Sequence, residues 1–228
     1  AEVENGIRLA GESEVYYREK LAAAEAKIKV KYSSVDTTYD PDKDTYPSIA
    51  DSDFAKVSDY IENVTIDLKY AGTDNETGCK IYNFTDAYLR YGTLQKLVSI
   101  AKLLEDQGYR IVIWDAYRPV KAQDMIWQYN GVTDAGSYVS SKGNTVYITI
   151  VNADGTPLEM PSQYGDSTSA SDRDYSDVST SAGANALYLE TLMTANGFVA
   201  GEKWWQFTDS TDYEIENNFL SDSVIMSE

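Results

Sequence analysis

Residues 86–107 place the heaviest constraint on what this chain can fold into. Leu89, Leu94, Leu97, Val98, Ala101 and Leu104 recur there at the spacing that lines one face of a helix, and Gly108 stands where that helix should stop. Directly after the glycine, residues 109–114 read Tyr-Arg-Ile-Val-Ile-Trp, an apolar run of strand length. A long helix passing through one glycine into a buried strand requires a sheet to receive the strand. It also requires a helical layer to cover that sheet.

The rest of the chain adds short elements of both kinds. Val15, Tyr16, Leu21, Ala24 and Ile28 predict a helix over residues 12–31, followed by a stretch over 33–53 rich in Asp, Thr, Ser, Tyr and Pro that reads as an irregular linker. The expected organisation is an N-terminal helix and linker over 1–50 and a main domain over 51–228. Within that domain, residues 64–70 alternate like a strand, 72–78 form a turn, and a helix runs from Pro119 to about 129. Asp154-Gly155 predicts a hairpin joining 145–151 to 156–160. Residues 163–181 are Ser/Asp-rich and predict an exposed, mobile loop. A helix over 182–195 ends at Asn196-Gly197, and 202–207 is read as a last core strand. Helices and strands mix without a regular βαβ beat, so the class is α+β.

Charge limits the partners. The formal net charge of −18 repels phosphate backbones, which argues against nucleic acid, and no apolar run is long enough to span a bilayer. The single Cys79 cannot form an intramolecular disulfide. An acidic, Tyr-rich composition and a beginning at Ala1-Glu2-Val3 suit a secreted or cell-surface bacterial protein, and that is the expected localisation.

Three segments, in order, resemble the VanX-type D-Ala-D-Ala dipeptidases, zinc peptidases that remove D-alanyl-D-alanine in vancomycin resistance and cell-wall recycling. Residues 66–78, Ile-Asp-Leu-Lys-Tyr-Ala-Gly-Thr-Asp-Asn-Glu-Thr-Gly, are close to that family's DLRYAT-DNFTG opening. Trp114-Asp115-Ala116-Tyr117-Arg118-Pro119 looks like its Asp-Ala/Gly-Tyr-Arg-Pro signature, and Gly197-Phe198 with Trp204-Trp205-Gln206-Phe207 is similar to its GF…EWWHF ending. The resemblance covers about residues 60–210. It implies an α+β fold with a central, mostly antiparallel sheet flanked by helices, carrying here an N-terminal helical extension.

The family's S-x-H-x-x-G-x-A-x-D and E-x-x-H motifs supply two His and one Asp to zinc and a Glu base. Zinc needs them because three N or O ligands leave a fourth place for a water whose pKa falls to about 7. This chain contains no histidine. Anchored on Gly143, the first His falls on Ser140 and the Asp on Tyr147; anchored on Trp204-Trp205, the second His falls on Gln206 and the Glu on Lys203, with Glu202 one residue away. The resemblance therefore implies that zinc is absent. Arg118 remains, and in the family this arginine stabilises the charge developing on the scissile carbonyl. The bland reading of Arg118, an ion pair with Asp115, stands beside it.

The expectation at this point is a protein that is not an enzyme: a catalytically inactive homologue that binds cell-wall stem peptides or a protein partner, one version being antibacterial. Arg118, Tyr138, Ser140, Tyr147, Trp205 and Gln206 are its candidate binding residues. The alternative is an active hydrolase of the same class with a metal-free or calcium-dependent site. Calcium has one candidate loop, Asp40, Asp42, Asp44 and Asp51, but Thr45 stands where the loop requires glycine. A Ser140/Lys203 nucleophile pair is the remaining catalytic option, and it needs the lysine to act as the base.

Overall fold

The computed structural model describes residues 49–132 and 138–225, which belong to a unit beginning at Ile49. The expected helix over 12–31, the linker up to 48 and most of the candidate calcium loop lie outside the described residues.

Five strands form the main sheet. They are β2 (Thr65–Ile66), β4 (Tyr109–Asp115), β5 (Thr145–Asn152), β6 (Phe198–Ala200) and β7 (Gln206–Asp209), arranged in the order β2-β4-β5-β7-β6. Only the β2/β4 pair is parallel; the other three are antiparallel, as the mostly antiparallel expectation has it. A separate two-stranded ribbon joins β1 (Phe54–Lys56) to β3 (Tyr88–Arg90). Among the described residues three α-helices accompany the strands: α1 (Tyr91–Asp106), α2 (Val120–Tyr129) and α3 (Thr180–Ala195).

β4 is buried from Ile111 to Asp115 because it lies inside the sheet and α1 packs on it through Leu94, Leu97, Ile100 and Leu104. These aliphatic side chains are fully buried, and each contributes on the order of 1.5–3 kcal/mol relative to exposure. Ser179 caps α3 by accepting the Ala182 amide at 3.1 Å, a bond typically worth about 1 kcal/mol. α3 then packs against β6.

Several boundaries differ from expectation, each for a tertiary reason. The long helix starts at Tyr91 rather than 86, since Tyr88–Arg90 are taken by pairing with β1. Arg90 locks that ribbon by donating to the carbonyls of Lys142, Ser52 and Glu214. The strand over 64–70 shortens to Thr65–Ile66, and Lys69–Ala71 turns into a 3-10 helix. The predicted hairpin is reduced to one bridge between Val151 and Pro157. The last core strand sits later than 202–207, at Gln206–Asp209, with Phe198–Ala200 beside it. The Ser/Asp-rich segment 163–181 is pinned: Arg173 donates to the carbonyls of Gly201, Lys203 and Gln206 at 2.7 Å each and to Glu190 at 2.9 Å.

Candidate functional site

Strand register collects the site. Asp115 at the end of β4 stands opposite Tyr147 on β5, and Tyr147 stands opposite Gln206 on β7. Side chains directly opposite across a sheet share a face, so these three form one row. The β4/β5 register shifts between Ile113 and Asp115, the kind of irregularity that re-aims a side chain at the end of a strand. Four of the candidate binding residues, Arg118, Ser140, Tyr147 and Gln206, are thereby tied together, because Arg118 follows Asp115 and its backbone N–H donates to the Ser140 carbonyl at 3.1 Å.

Arg118 is buried, and both readings of it meet in one arrangement. Its Nε donates to Asp115 Oδ2 at 3.0 Å, its Nη2 donates to the same oxygen, and its Nη1 donates to Gln123 Oε1 on α2 at 2.7 Å. The guanidinium lies 4.6 Å from the centre of the Tyr70 ring and 5.6 Å from that of Tyr147. Asp115 Oδ1 accepts from the buried Tyr82 hydroxyl at 3.0 Å. A guanidinium has five N–H donors, so three are used and one on each of Nη1 and Nη2 is left. Burial pushes the Asp115 carboxyl up and the adjacent Arg118 charge pulls it down. Burial works against the Arg118 charge, yet Asp115 more than restores it and the guanidinium is held well above its ordinary range.

Ser140 lies in a 3-10 helix, Val139–Lys142, that ends on Gly143 in the left-handed region at φ 79°. A Cβ on Gly143 would meet Phe54 Cε1 at 2.4 Å, so this turn admits glycine on two counts. The turn brings the Ser140 hydroxyl to 2.9 Å from the Tyr147 hydroxyl. Burial raises the Tyr147 phenol above its usual pKa, and Arg118 only partly offsets that. It is a neutral hydrogen-bonding group at neutral pH and not a base.

The remaining candidates divide. Trp205 is buried in a set of rings with Trp204, Trp114 and Tyr164, at centre distances of 5.4, 6.3 and 5.9 Å. Gln206 rests its amide against Gly201, where a Cβ would come within 2.7 Å of Gln206 Cδ. Tyr138 turns to α2 and donates to Asp124 at 2.7 Å. Lys203 donates to Ser171 Oγ at 2.7 Å and Asp172 at 2.8 Å rather than to Ser140, so the Ser140/Lys203 pair does not form. Glu202 is exposed.

Two participants were missed from sequence. Tyr164 comes from the segment read as a loose loop and docks among Tyr70, Trp114, Tyr147 and Trp205 at 5.9–6.2 Å between ring centres. Glu76 stands at the edge of the same set and accepts from the Tyr70 hydroxyl. An aromatic in a polar loop was the available signal for the first.

The donors at the positions assigned to metal ligands are a hydroxyl, a phenol and a carboxamide. These do not fit zinc, which takes thiolate, imidazole or carboxylate. No group of three His, Cys, Asp or Glu able to hold a metal ion occurs among the described residues. Among those residues no helix is long and apolar enough to cross a membrane.

The sequence profile of a family described as D-ala-D-ala dipeptidase matches residues 50–140. The chain is 32% identical to a D-alanyl-D-alanine dipeptidase of Escherichia coli K12 over 152 residues, covering 64% of this chain and 78% of that protein. A Streptomyces coelicolor protein of the same name is 28% identical over 187 residues, covering 68% of this chain and 91% of its own length. An Enterococcus faecium one is 25% identical over 181 residues, covering 68% and 90%. All three relatives carry the name of an enzyme. That overturns the expectation of a catalytically inactive, non-enzymatic binding protein and favours the hydrolase alternative.

Proposed function

Because the chain belongs to the D-Ala-D-Ala dipeptidase family, we propose that it is a hydrolase of that class, acting on D-alanyl-D-alanine peptides at the Arg118 site without zinc. The observation that carries this reading is the held guanidinium: its backbone, its charge partner and its neighbour Gln123 all fix it, and two N–H donors remain. A preorganised cation aimed at a scissile carbonyl stabilises the oxyanion that forms there, and a buried site strengthens the effect. Tyr147 and Ser140, hydrogen-bonded to each other beside it, can turn a hydroxyl proton toward a peptide oxygen. Trp205, Tyr164 and Tyr70 supply apolar wall. Stem peptides of the cell wall are the substrates this reading favours, and the acidic composition supports action at or outside the cell surface.

The test is release of free D-alanine from D-Ala-D-Ala by the full chain, with and without a zinc chelator. Release that persists in chelator and disappears in Arg118→Ala is the expected result. No release, or release only after zinc is added, overturns the reading.

A further inference from the structure

A cavity of about 310 Å³ lies between the end of β7 and the outer side of the turn that carries Ser140. Val139 and Lys142 of that turn, Asn144 just before β5, Thr208 on β7, and Ser210 and Asp212 beyond it line the space. Neither Arg118, Tyr147 nor Ser140 borders it, so it is separate from the site described above. Of all the side chains in its wall, Val139 alone is apolar.

The wall carries an acceptor that nothing satisfies. Asn144 is 3% exposed, and its Nδ2 donates to the carbonyls of Asp209 at 3.2 Å and Thr211 at 2.9 Å, both residues of the cavity wall. Its Oδ1, on the same carboxamide, accepts no hydrogen bond. Donors stand beside it: Lys142 Nζ gives one N–H to Asp212 Oδ1 at 2.6 Å and keeps two, and the exposed Ser210 hydroxyl has no side-chain partner among the described residues. Charge in the wall is balanced, because Lys142 pairs with Asp212 and Asp209 with Lys96. A lysine in the wall opposes a metal ion, and an aspartate with an unpaired amide oxygen opposes an anion. What matches neutral walls bearing donors and acceptors together is a neutral ligand whose groups do both, which is the character of a hydroxyl.

We propose that this cavity is a binding site for a neutral sugar, with one sugar hydroxyl donating to Asn144 Oδ1 and others accepting from Lys142 and exchanging bonds with Ser210. The site acts by binding and touches no reacting bond.

NMR titration of the isotope-labelled full chain with glucose, N-acetylglucosamine and chitotetraose tests it. The Asn144 side-chain amide signals and the Ser210 and Thr211 backbone amides should move saturably. Lys142→Ala should weaken that binding about tenfold, the effect of one hydrogen bond from a charged group. Ser210→Tyr, which places a ring in the space, should abolish it. Tighter binding of the tetramer than of its monomer identifies a glycan chain as the source and equal binding a free sugar; both uphold the site. Signals that stay still with all three sugars overturn the assignment. So do shifts undiminished in either variant that melts with the parent, or shifts produced by calcium chloride and not by sugar. The titration needs no turnover, so sugar binding without D-alanine release removes only the hydrolase reading. Release without sugar-induced shifts removes only this site.

Discussion

Replacing Asp115 by Asn tests the centre of the site most directly. Asp115 is fully buried, its partner Arg118 has 6% of its side chain exposed, and the Tyr82 hydroxyl donates to the second carboxylate oxygen at 3.0 Å. The amide keeps the shape and can still accept one bond, but the Arg118 charge is then buried without compensation. Breaking a buried pair by removing one partner costs about 3–5 kcal/mol. That is a large part of the roughly 5–15 kcal/mol that holds a typical domain folded. At about 2–4 °C per kcal/mol for a unit of this size, the melting point should fall by roughly 6–20 °C. Urea unfolding followed by tryptophan fluorescence reads the change, since Trp114 adjoins the pair. Removing both charges together, as Asp115→Leu with Arg118→Met, should recover part of the loss, because an apolar pair of similar volume needs no compensation. A loss below about 1 kcal/mol for Asp115→Asn at unchanged m would refute the reasoning, since a pair that cheap to break is solvated.

Gly143→Ala should cost about 2–5 kcal/mol, combining a left-handed φ of 79° with a Cβ placed 2.4 Å from Phe54, and a thermal melt checks it. Asp209 is buried, which alone would raise its carboxyl, but Lys96, the Thr211 amide and Thr93 outweigh that and hold it below the ordinary 3.8. Its contribution is therefore complete above pH 3.8 and lost as pH falls through the lower folded value; Asp209→Asn should flatten the acid limb of stability measured in urea at stepped pH. Zinc or a chelator should leave the melting temperature of the full chain unchanged, whereas a zinc-dependent rise by differential scanning fluorimetry would contradict a metal-free site.

The helix–glycine–strand passage at 86–114 was legible because periodicity reports burial, and α1 and β4 follow it closely. Its first residues were misread because pairing of Tyr88–Arg90 with Phe54–Lys56 is a contact across more than thirty residues, invisible to local pattern. Segment 163–181 was misread for a related reason: composition reports polarity, not the four hydrogen bonds that Arg173 makes with Gly201, Lys203, Gln206 and Glu190. Within the site, Ser140 meets Tyr147 and Arg118 meets Asp115, residues that motif spacing had marked without giving their contacts. Spacing could not separate Lys203, which faces Ser171, from its neighbour Gln206, which stands opposite Tyr147.

The row Asp115–Tyr147–Gln206 also sets the energetic character of the proposed reaction. A zinc-bound water ionises near pH 7, whereas a free one ionises only far above that, so a site with this donor set gives up most of the ready supply of hydroxide. What remains is stabilisation of the oxyanion, and loss of a single such donor in other hydrolases costs about 10²–10³ in kcat. Arg118 is the strongest donor beside the row and is already oriented by Asp115, so little reorganisation is needed as charge develops. The neutral Tyr147 phenol is suited to donating beside it because its burial keeps the proton in place. A hydrolase built this way would be slow relative to a zinc enzyme and insensitive to chelation. Its rate would depend on Arg118 and Tyr147 rather than on any group at position 203.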